Sequence, residues 1–135
     1  MSAERFLDTN VLVHAFDGTP AKADVAETLL AEGGVVSVQV LNELTGVARR
    51  KLGFSFPEIR EVLVVVRHLC SVVPGTPEAH ALGLELSERY RLGICDGVVV
   101  ASAQLAGCST FCSEDLQDGQ RLGTVTVRNP FATAA

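Results

Sequence analysis

Residues 5–12 read Arg5-Phe6-Leu7-Asp8-Thr9-Asn10-Val11-Leu12, and this stretch decides the fold that we predict for the chain. A short apolar run ends in an acid, a hydroxyl and an amide, after which apolar residues resume. The pattern predicts a buried strand that ends at Asp8, followed by a helix. Asp8 would then lie at the carboxyl end of a strand, where open parallel sheets bind their ligands.

Similar short apolar segments recur along the 135 residues, separated by longer stretches with helix start and stop signals. Pro20 and the capping-box pattern at Ser55–Glu58 each predict the start of a helix. We predict strands at Arg5–Asp8, Val35–Ser37, Ser71–Val73, Thr110–Ser113 and Val125–Val127. This alternation indicates an α/β fold: a single domain, residues 1–135, with a central parallel β-sheet of four to five short strands flanked by α-helices.

The composition favours a cytoplasmic protein that does not enter a membrane. The most apolar run, Leu63-Val64-Val65-Val66, is followed by the charged Arg67 and is too short to span a bilayer. No cationic segment precedes an apolar run at the N-terminus, so we expect no export signal. We interpret the four cysteines, which lack zinc-site spacing, as small buried thiols: Cys70, Cys95, Cys108 and Cys112.

Four acids are distinctive because each lies beside an apolar segment. Asp8 and Asp115 follow predicted strands. Glu43 and Asp96 lie in segments whose apolar spacing is helical, so we expect both to project from apolar helix faces. Strand ends and helix starts meet at one edge of a parallel sheet, and the four side chains are therefore predicted to share one site. Clustered carboxylates repel one another, so a hard divalent cation is their natural partner.

Each acid also has a purely structural interpretation. Asp8 or Asn10 could cap the helix that begins near Val11, and Asp96 could cap its own helix. Glu43 could be a surface acid if the helix phase is different, and the acid-rich segment 113–119 could be a solvated turn. The joint pattern favours the shared site, because unrelated surface acids need not all fall beside apolar faces and strand ends.

Several segments resemble the PIN-domain ribonucleases. They are Leu7-Asp8-Thr9-Asn10-Val11-Leu12, Leu41-Asn42-Glu43-Leu44, Cys95-Asp96-Gly97 with Val98-Val99-Val100-Ala101, and Ser113-Glu114-Asp115-Leu116. The likeness extends from Phe6 to the closing Asn129-Pro130-Phe131, and within the family the chain is similar to the VapC-type toxins of bacterial toxin–antitoxin modules. The resemblance implies a PIN-like fold and a metal-dependent endoribonuclease that hydrolyses phosphodiester bonds in RNA.

The resemblance also implies roles for the matching positions. The catalytic and metal-binding set corresponds to Asp8, Glu43, Asp96 and Asp115, and it is expected to bind Mg²⁺ or Mn²⁺, with one or two ions per site. We assign Asp8 and Asp96 as central ligands, and the other two acids as flanking ligands or water-orienting groups. The surrounding polar positions are Thr9, Asn10, Ser113 and Asp118, of which Asp118 is also an alternative fourth acid.

The partners follow from the same resemblance. VapC-type toxins pair as homodimers and are inhibited by an antitoxin whose basic segment reaches the acidic site. We therefore expect an RNA substrate, a cognate antitoxin protein and a homodimer.

The net charge of −5 is unusual for a protein that contacts phosphates. Without the four clustered acids, however, the remaining charge is nearly neutral. Local basic groups occur at Arg49-Arg50-Lys51 and at Arg89 and Arg91. We interpret each as a solvated helix end that complements the macrodipole, with a nucleic-acid contact as the alternative.

Two other functions are also compatible with the acids. In an aspartyl-phosphate phosphatase Asp8 would be the nucleophile, but no second acid follows two residues later. Only Lys22 and Lys51 are available as phosphate-binding lysines, and neither follows a predicted strand. In a non-catalytic module the acids would bind a basic partner peptide without any metal.

Overall fold

Residues 4–132, the part of the chain that a computed structural model describes, form six short strands and six helices. Two helices follow each of the first three strands, and the last three strands follow one another. The strands are β1 (Arg5–Leu7), β2 (Gly34–Ser37), β3 (Cys70–Val73), β4 (Thr110–Cys112), β5 (Arg121–Leu122) and β6 (Val125–Arg128). The helices are α1 (Thr9–Phe16), α2 (Pro20–Glu32), α3 (Val38–Arg50), α4 (Phe56–Leu69), α5 (Pro77–Tyr90) and α6 (Ile94–Leu105). The predicted α/β fold is confirmed.

The strands form one mostly parallel sheet in the order β3-β2-β1-β4-β6-β5. The first strand is central, with Phe6 opposite Val35 of β2 and Phe111 of β4. Among the described strands only β5 is antiparallel, against β6. Because β1 and β4 are parallel neighbours, the residues that follow them, Asp8 and Ser113, emerge at the same edge of the sheet.

Each of the five predicted strands is present, with one end displaced by one residue. Strand β5 was not predicted, and the described part of the sheet has six strands rather than four to five. Arg121 is exposed and Leu122 is buried, but a segment of two residues is too short to show an alternating pattern. A turn at Gly123, whose φ of 62° favours glycine, brings β5 back alongside β6.

Side-chain caps fix the helix starts close to the sheet. The Ser37 hydroxyl accepts a hydrogen bond from the Val40 N–H at 3.3 Å, so α3 begins directly after β2. Ser55 and Glu58 form the predicted capping box at the start of α4. The direct turn from β2 into α3 sets the direction of the helix that carries Glu43.

The buried core is built around the central strands. Phe6 of β1 stacks on Phe111 of β4, with 5.5 Å between the ring centroids. Helices α5 and α6 approach so closely that a Cβ at Gly97 would overlap the Gly83 carbonyl oxygen and the Ser87 hydroxyl. Gly97 thus permits the packing that positions the first turn of α6 and its Asp96.

Three of the four cysteines are buried, as predicted, but Cys95 is exposed. It lies in the first turn of α6, ahead of the buried run that begins at Gly97, so no neighbouring element covers its thiol. None of the helices within residues 4–132 is long and apolar enough to cross a membrane.

Candidate active site

Asp8 lies between the end of β1 and the start of α1, almost fully buried. Its backbone N–H donates to the Cys112 carbonyl at 3.0 Å, which continues the pairing of β1 with β4. Its carboxylate accepts a hydrogen bond from the Thr9 N–H at 2.8 Å and forms the N-cap of α1. The capping interpretation is thus confirmed for Asp8, and the cap holds the carboxylate at the carboxyl edge of the sheet.

Ser113 and Asn10 contact the other carboxylate oxygen of Asp8. The Ser113 hydroxyl donates to Asp8 Oδ2 at 2.8 Å, and Asn10 Nδ2 lies 3.3 Å from the same oxygen. Asn10 Nδ2 also lies 3.0 Å from Asp115 Oδ2, so one amide bridges two of the predicted acids. These polar contacts connect the ends of β1 and β4.

Glu43 approaches the same place from α3 and is half-buried. Its Oε1 accepts a hydrogen bond from the Thr9 hydroxyl at 2.6 Å, and its Oε2 accepts one from Gln39 Nε2 at 3.0 Å. Glu43 is therefore directed toward the residue that follows Asp8. The contact from Gln39, one turn earlier on α3, was not predicted.

Asp96 and Asp115 are more open to solvent. Asp115 is exposed in the loop after β4, and Asp96 is exposed in the first turn of α6. We predicted that Asp96 projects from an apolar face of its helix. This is wrong, because the buried run of α6 begins one residue later, at Gly97. The capping interpretation is also wrong for Asp96, since the N-cap of α6 is Gly93.

These groups surround an open cleft with a volume of about 530 Å³. The cleft is lined by Thr9, Asn10, Glu43, Asp96 and Asp115, among others, and also by Arg50 and Lys51 from the end of α3. Asp8 lies next to it, with 8% of its surface exposed. We call Asp8, Glu43, Asp96 and Asp115 the cleft acids.

The pKa values of Asp8 and Asp96 are raised partly by the charges of neighbouring acids. Burial raises the pKa of Asp8 from 3.8 to about 7, opposed by the hydrogen bonds from Ser113 and Thr9 and reinforced by the charges of Asp96 and Glu43. Burial also raises the pKa of Asp96, with further contributions from Glu43 and Asp115. No Lys, Arg or His within residues 4–132 forms an ion pair with any cleft acid. The four carboxylates are thus close enough to interact, and none of them is paired with a cation from this part of the chain.

The donor chemistry of the cleft acids fits a hard divalent cation, because all four supply carboxylate oxygens. A bound cation would also favour the ionised form of buried Asp8. As placed, no three His, Cys, Asp or Glu side chains in the described part of the chain surround a common ion position. Glu43 is held by Thr9, and Asp115 by Asn10, so a shared ion requires these side chains to turn inward.

Asp118 is not brought to the cleft. It is exposed, and its Oδ1 accepts a hydrogen bond from the Asn129 N–H at 2.8 Å. That contact joins the loop after β4 to the end of β6. Of the two alternatives for the fourth acid, Asp115 is the one that lines the cleft.

A second group of charged side chains was not predicted, and two of its members, His14 and Glu114, also line the cleft. His14 lies between two acids, with Nδ1 3.1 Å from Asp17 and Nε2 in contact with Glu114. Lys22 Nζ lies 2.7 Å from the other Glu114 oxygen and 5.6 Å from the centroid of the Phe131 ring. We call His14, Asp17, Lys22 and Glu114 the Glu114 cluster. Its members are up to 100 positions apart in sequence, so no local sequence pattern predicts their contact.

The mostly parallel sheet with acids at its carboxyl edge defines the class of domain, and the comparison with known families identifies the family. Residues 5–117 match the model of the PIN domain, and the chain belongs to this family. No curated protein sequence matches the chain.

Solved structures of low sequence identity share the fold. A chain of a toxin–antitoxin complex from Klebsiella pneumoniae is 17% identical with a TM-score of 0.72, covering 93% of this chain and 97% of its own. VapBC2 from Rickettsia felis, bound to a promoter DNA fragment, is 20% identical with a TM-score of 0.67 and the same coverage, 93% and 97%. VapC20 from Mycobacterium tuberculosis, a toxin that cleaves the sarcin–ricin loop, is 17% identical with a TM-score of 0.63, covering 79% and 86%.

Proposed function

We propose that the chain is a metal-dependent endoribonuclease that acts as the toxin of a toxin–antitoxin module. The observation that carries the proposal is the meeting of four acids at an open cleft, on the carboxyl edge of a PIN-domain sheet. The solved neighbours support it, because one cleaves RNA in the sarcin–ricin loop and others belong to toxin–antitoxin complexes. The action on cellular RNA implies a cytoplasmic protein.

The proposed chemistry follows from charge. Hydrolysis of a phosphodiester places negative charge on the attacking and leaving oxygens, and one or two Mg²⁺ or Mn²⁺ ions, when bound, would stabilise that charge and activate water. Asp8 and Asp96 would be the central ligands, and Glu43 and Asp115 would flank them. The hydrogen bonds from Thr9, Asn10 and Ser113 orient these carboxylates, which is the usual role of polar groups behind metal ligands.

The direct test is cleavage of a structured RNA by the purified chain in Mg²⁺, in Mn²⁺ and in chelator. Asp8→Asn keeps the shape and the capping ability of the side chain but removes its charge, so it should fold and lose activity. Asp118→Asn, in an acid outside the cleft, should cut at the parental rate. A folded Asp8→Asn variant with parental activity would refute the assigned role, and equal cleavage in chelator would refute metal dependence.

The toxin proposal includes two protein partners. The cleft acids, which have no ion pair within residues 4–132, suit a basic antitoxin segment that would compete with metal and RNA. Large apolar side chains remain exposed on α4, α5 and α6, including Val64, Leu84 and Leu105, and supply area that a second copy could bury. A homodimer is therefore proposed, and light scattering of the parent and of Val64→Glu and Leu84→Glu variants would test it.

We also propose that residues 1–135 act as a single nuclease domain. One cluster of buried apolar residues runs from Phe6 in β1 to Phe131 beyond β6, so the described elements share a core. The phosphatase alternative loses one of its two candidate phosphate-binding lysines, since the ammonium group of Lys22 is paired with Glu114.

A further inference from the structure

Two cations at the end of α3 line the same cleft as the acids. Arg50 and Lys51 are both exposed, and both contribute to the cleft wall with Glu43, Asp96 and Asp115. Neither side chain has a hydrogen bond or an ion pair with any residue between positions 4 and 132. The cleft thus combines a cluster of acids with two positive groups that no group of residues 4–132 neutralises.

The neighbouring Arg49 shows that this placement is not a general property of the helix end. Its guanidinium donates to the Phe54 carbonyl at 3.1 Å and lies 4.6 Å from the centroid of the Phe56 ring. It does not line the cleft. Attraction to the carboxyl end of the helix dipole would account for a cation at any of these three positions, but not for the position of two of them in the cleft wall.

The guanidinium of Arg50 lies back along α3, over Gly46. A Cβ at Gly46 would be 3.0 Å from both Nη1 and Nη2, so the planar group rests on the bare backbone one turn before Arg50. This position is on the side of Arg50 that leads toward Glu43. A guanidinium presents paired N–H donors that match two phosphate oxygens, whereas a lysine supplies a point charge.

We propose that Arg50 and Lys51 bind backbone phosphates of the RNA beside the bond that is cut, an inference that rests on the proposed ribonuclease function. An RNA strand that enters the cleft meets the cleft acids, whose charges repel its phosphates. Unpaired cations in the same wall offset that repulsion and fix the position of the strand without reading its bases. They are binding residues and take no part in the bond cleavage.

The test compares three single variants with the same change of charge: Arg50→Gln, Lys51→Gln and the control Arg49→Gln. For cleavage of an RNA hairpin in Mg²⁺, we expect the first two to raise KM roughly tenfold each with little change in kcat, as for the loss of a charge-assisted hydrogen bond. Arg49→Gln should leave both constants near the parental values, although it lowers the net charge equally.

Binding to the same hairpin, measured in an inactive Asp8→Asn background, provides a second readout. Between about 50 and about 200 mM salt, the slope of log K against log salt should fall by about 1 for Arg50→Gln or Lys51→Gln and stay unchanged for Arg49→Gln. If all three variants behave alike while the parent cuts RNA, the phosphate assignment is wrong and the proposed function stands. If the parent neither cuts nor binds RNA, both are wrong.

Two further outcomes would also overturn the inference. A fall in kcat at constant KM would place the cations in the chemical step rather than in binding. Loss of affinity for a polyglutamate peptide, with RNA binding intact, would assign Arg50 and Lys51 to an acidic protein segment.

Discussion

The cleft acids and the Glu114 cluster are neighbouring groups, but their carboxylates differ in whether they pair with basic side chains. In the Glu114 cluster each acid contacts a basic side chain, because Lys22 and His14 contact Glu114 and His14 contacts Asp17. None of the cleft acids forms an ion pair in the part of the chain that the structure describes.

The pKa values differ accordingly. Burial and like charges raise the pKa of Asp8 to about 7. Partial burial acts to raise the pKa of Glu114 as well, but hydrogen bonds from Lys22 and His14 and their positive charges lower it overall. The pKa of Asp17 is also lowered, because hydrogen bonds from Thr19 and the charge of His14 outweigh its slight burial. The comparison indicates that basic side chains lower the pKa values of the carboxylates in the Glu114 cluster, whereas no such side chain pairs with the cleft acids within residues 4–132.

The largest expected difference between the two regions is in activity. Asp96→Asn removes one cleft charge from an exposed position and should lower the rate of RNA cleavage on the order of a hundredfold or more. Asp17→Asn, the matched change in the Glu114 cluster, should stay within a fewfold of the parent. Single-turnover cleavage in Mg²⁺ measures both. Equal losses in the two variants would remove the functional distinction between the regions.

The next effect is on stability against pH in the absence of metal. The pKa of Asp8 is higher in the folded chain, about 7, than its ordinary 3.8, so the folded state binds more protons in between. The free energy of unfolding should therefore fall as pH rises through this interval, with a slope of at most about 1.4 kcal/mol per pH unit from this group. Glu114 and Asp17 have lowered pKa values, and their stabilising contribution is already complete in the upper part of the interval.

Urea unfolding in chelator at several pH values measures this slope, and Asp8→Asn serves as the control. Asparagine stays neutral, so the variant should lose the part of the slope that Asp8 contributes and should exceed the parent in stability at alkaline pH. Parallel curves for parent and variant would show that the pKa of Asp8 is not raised in the folded chain.

Divalent metal should raise the free energy of unfolding by less than the pH effect does, and only in chains whose cleft acids are intact. At about one hundred times its dissociation constant, a ligand that binds only the folded state adds about 2.7 kcal/mol to the free energy of unfolding. Thermal unfolding with and without Mn²⁺ should show this gain in the parent and in Asp17→Asn. The gain should be lost in Asp96→Asn. A melting temperature that does not respond to Mn²⁺ in the parent would argue against a metal site formed by the cleft acids.

The cleft acids could be predicted from the sequence far better than the Glu114 cluster could. Asp8 and Asp115 were found because each follows a buried strand, and parallel strand ends meet at one edge. His14 and Glu114 meet only because α1 packs beside the loop after β4, a contact that no spacing rule predicts. Side-chain orientation was equally hidden from the sequence, because the hydrogen bonds from Thr9 and Gln39 that hold Glu43 depend on rotamers.

The smallest expected effect is the loss of one cation from the Glu114 cluster. Lys22 is partly exposed, with 37% of its side chain accessible, so water screens its ion pair with Glu114. Lys22→Met should cost about 0.5–1 kcal/mol in the free energy of unfolding, because partly exposed ion pairs are weak. A double-mutant cycle with Glu114→Gln, measured by urea unfolding, isolates the pair from the packing of Lys22 on Phe131. A coupling energy near zero would show that Lys22 does not stabilise the Glu114 carboxylate. His14 would then be the basic side chain that distinguishes the Glu114 cluster from the cleft acids.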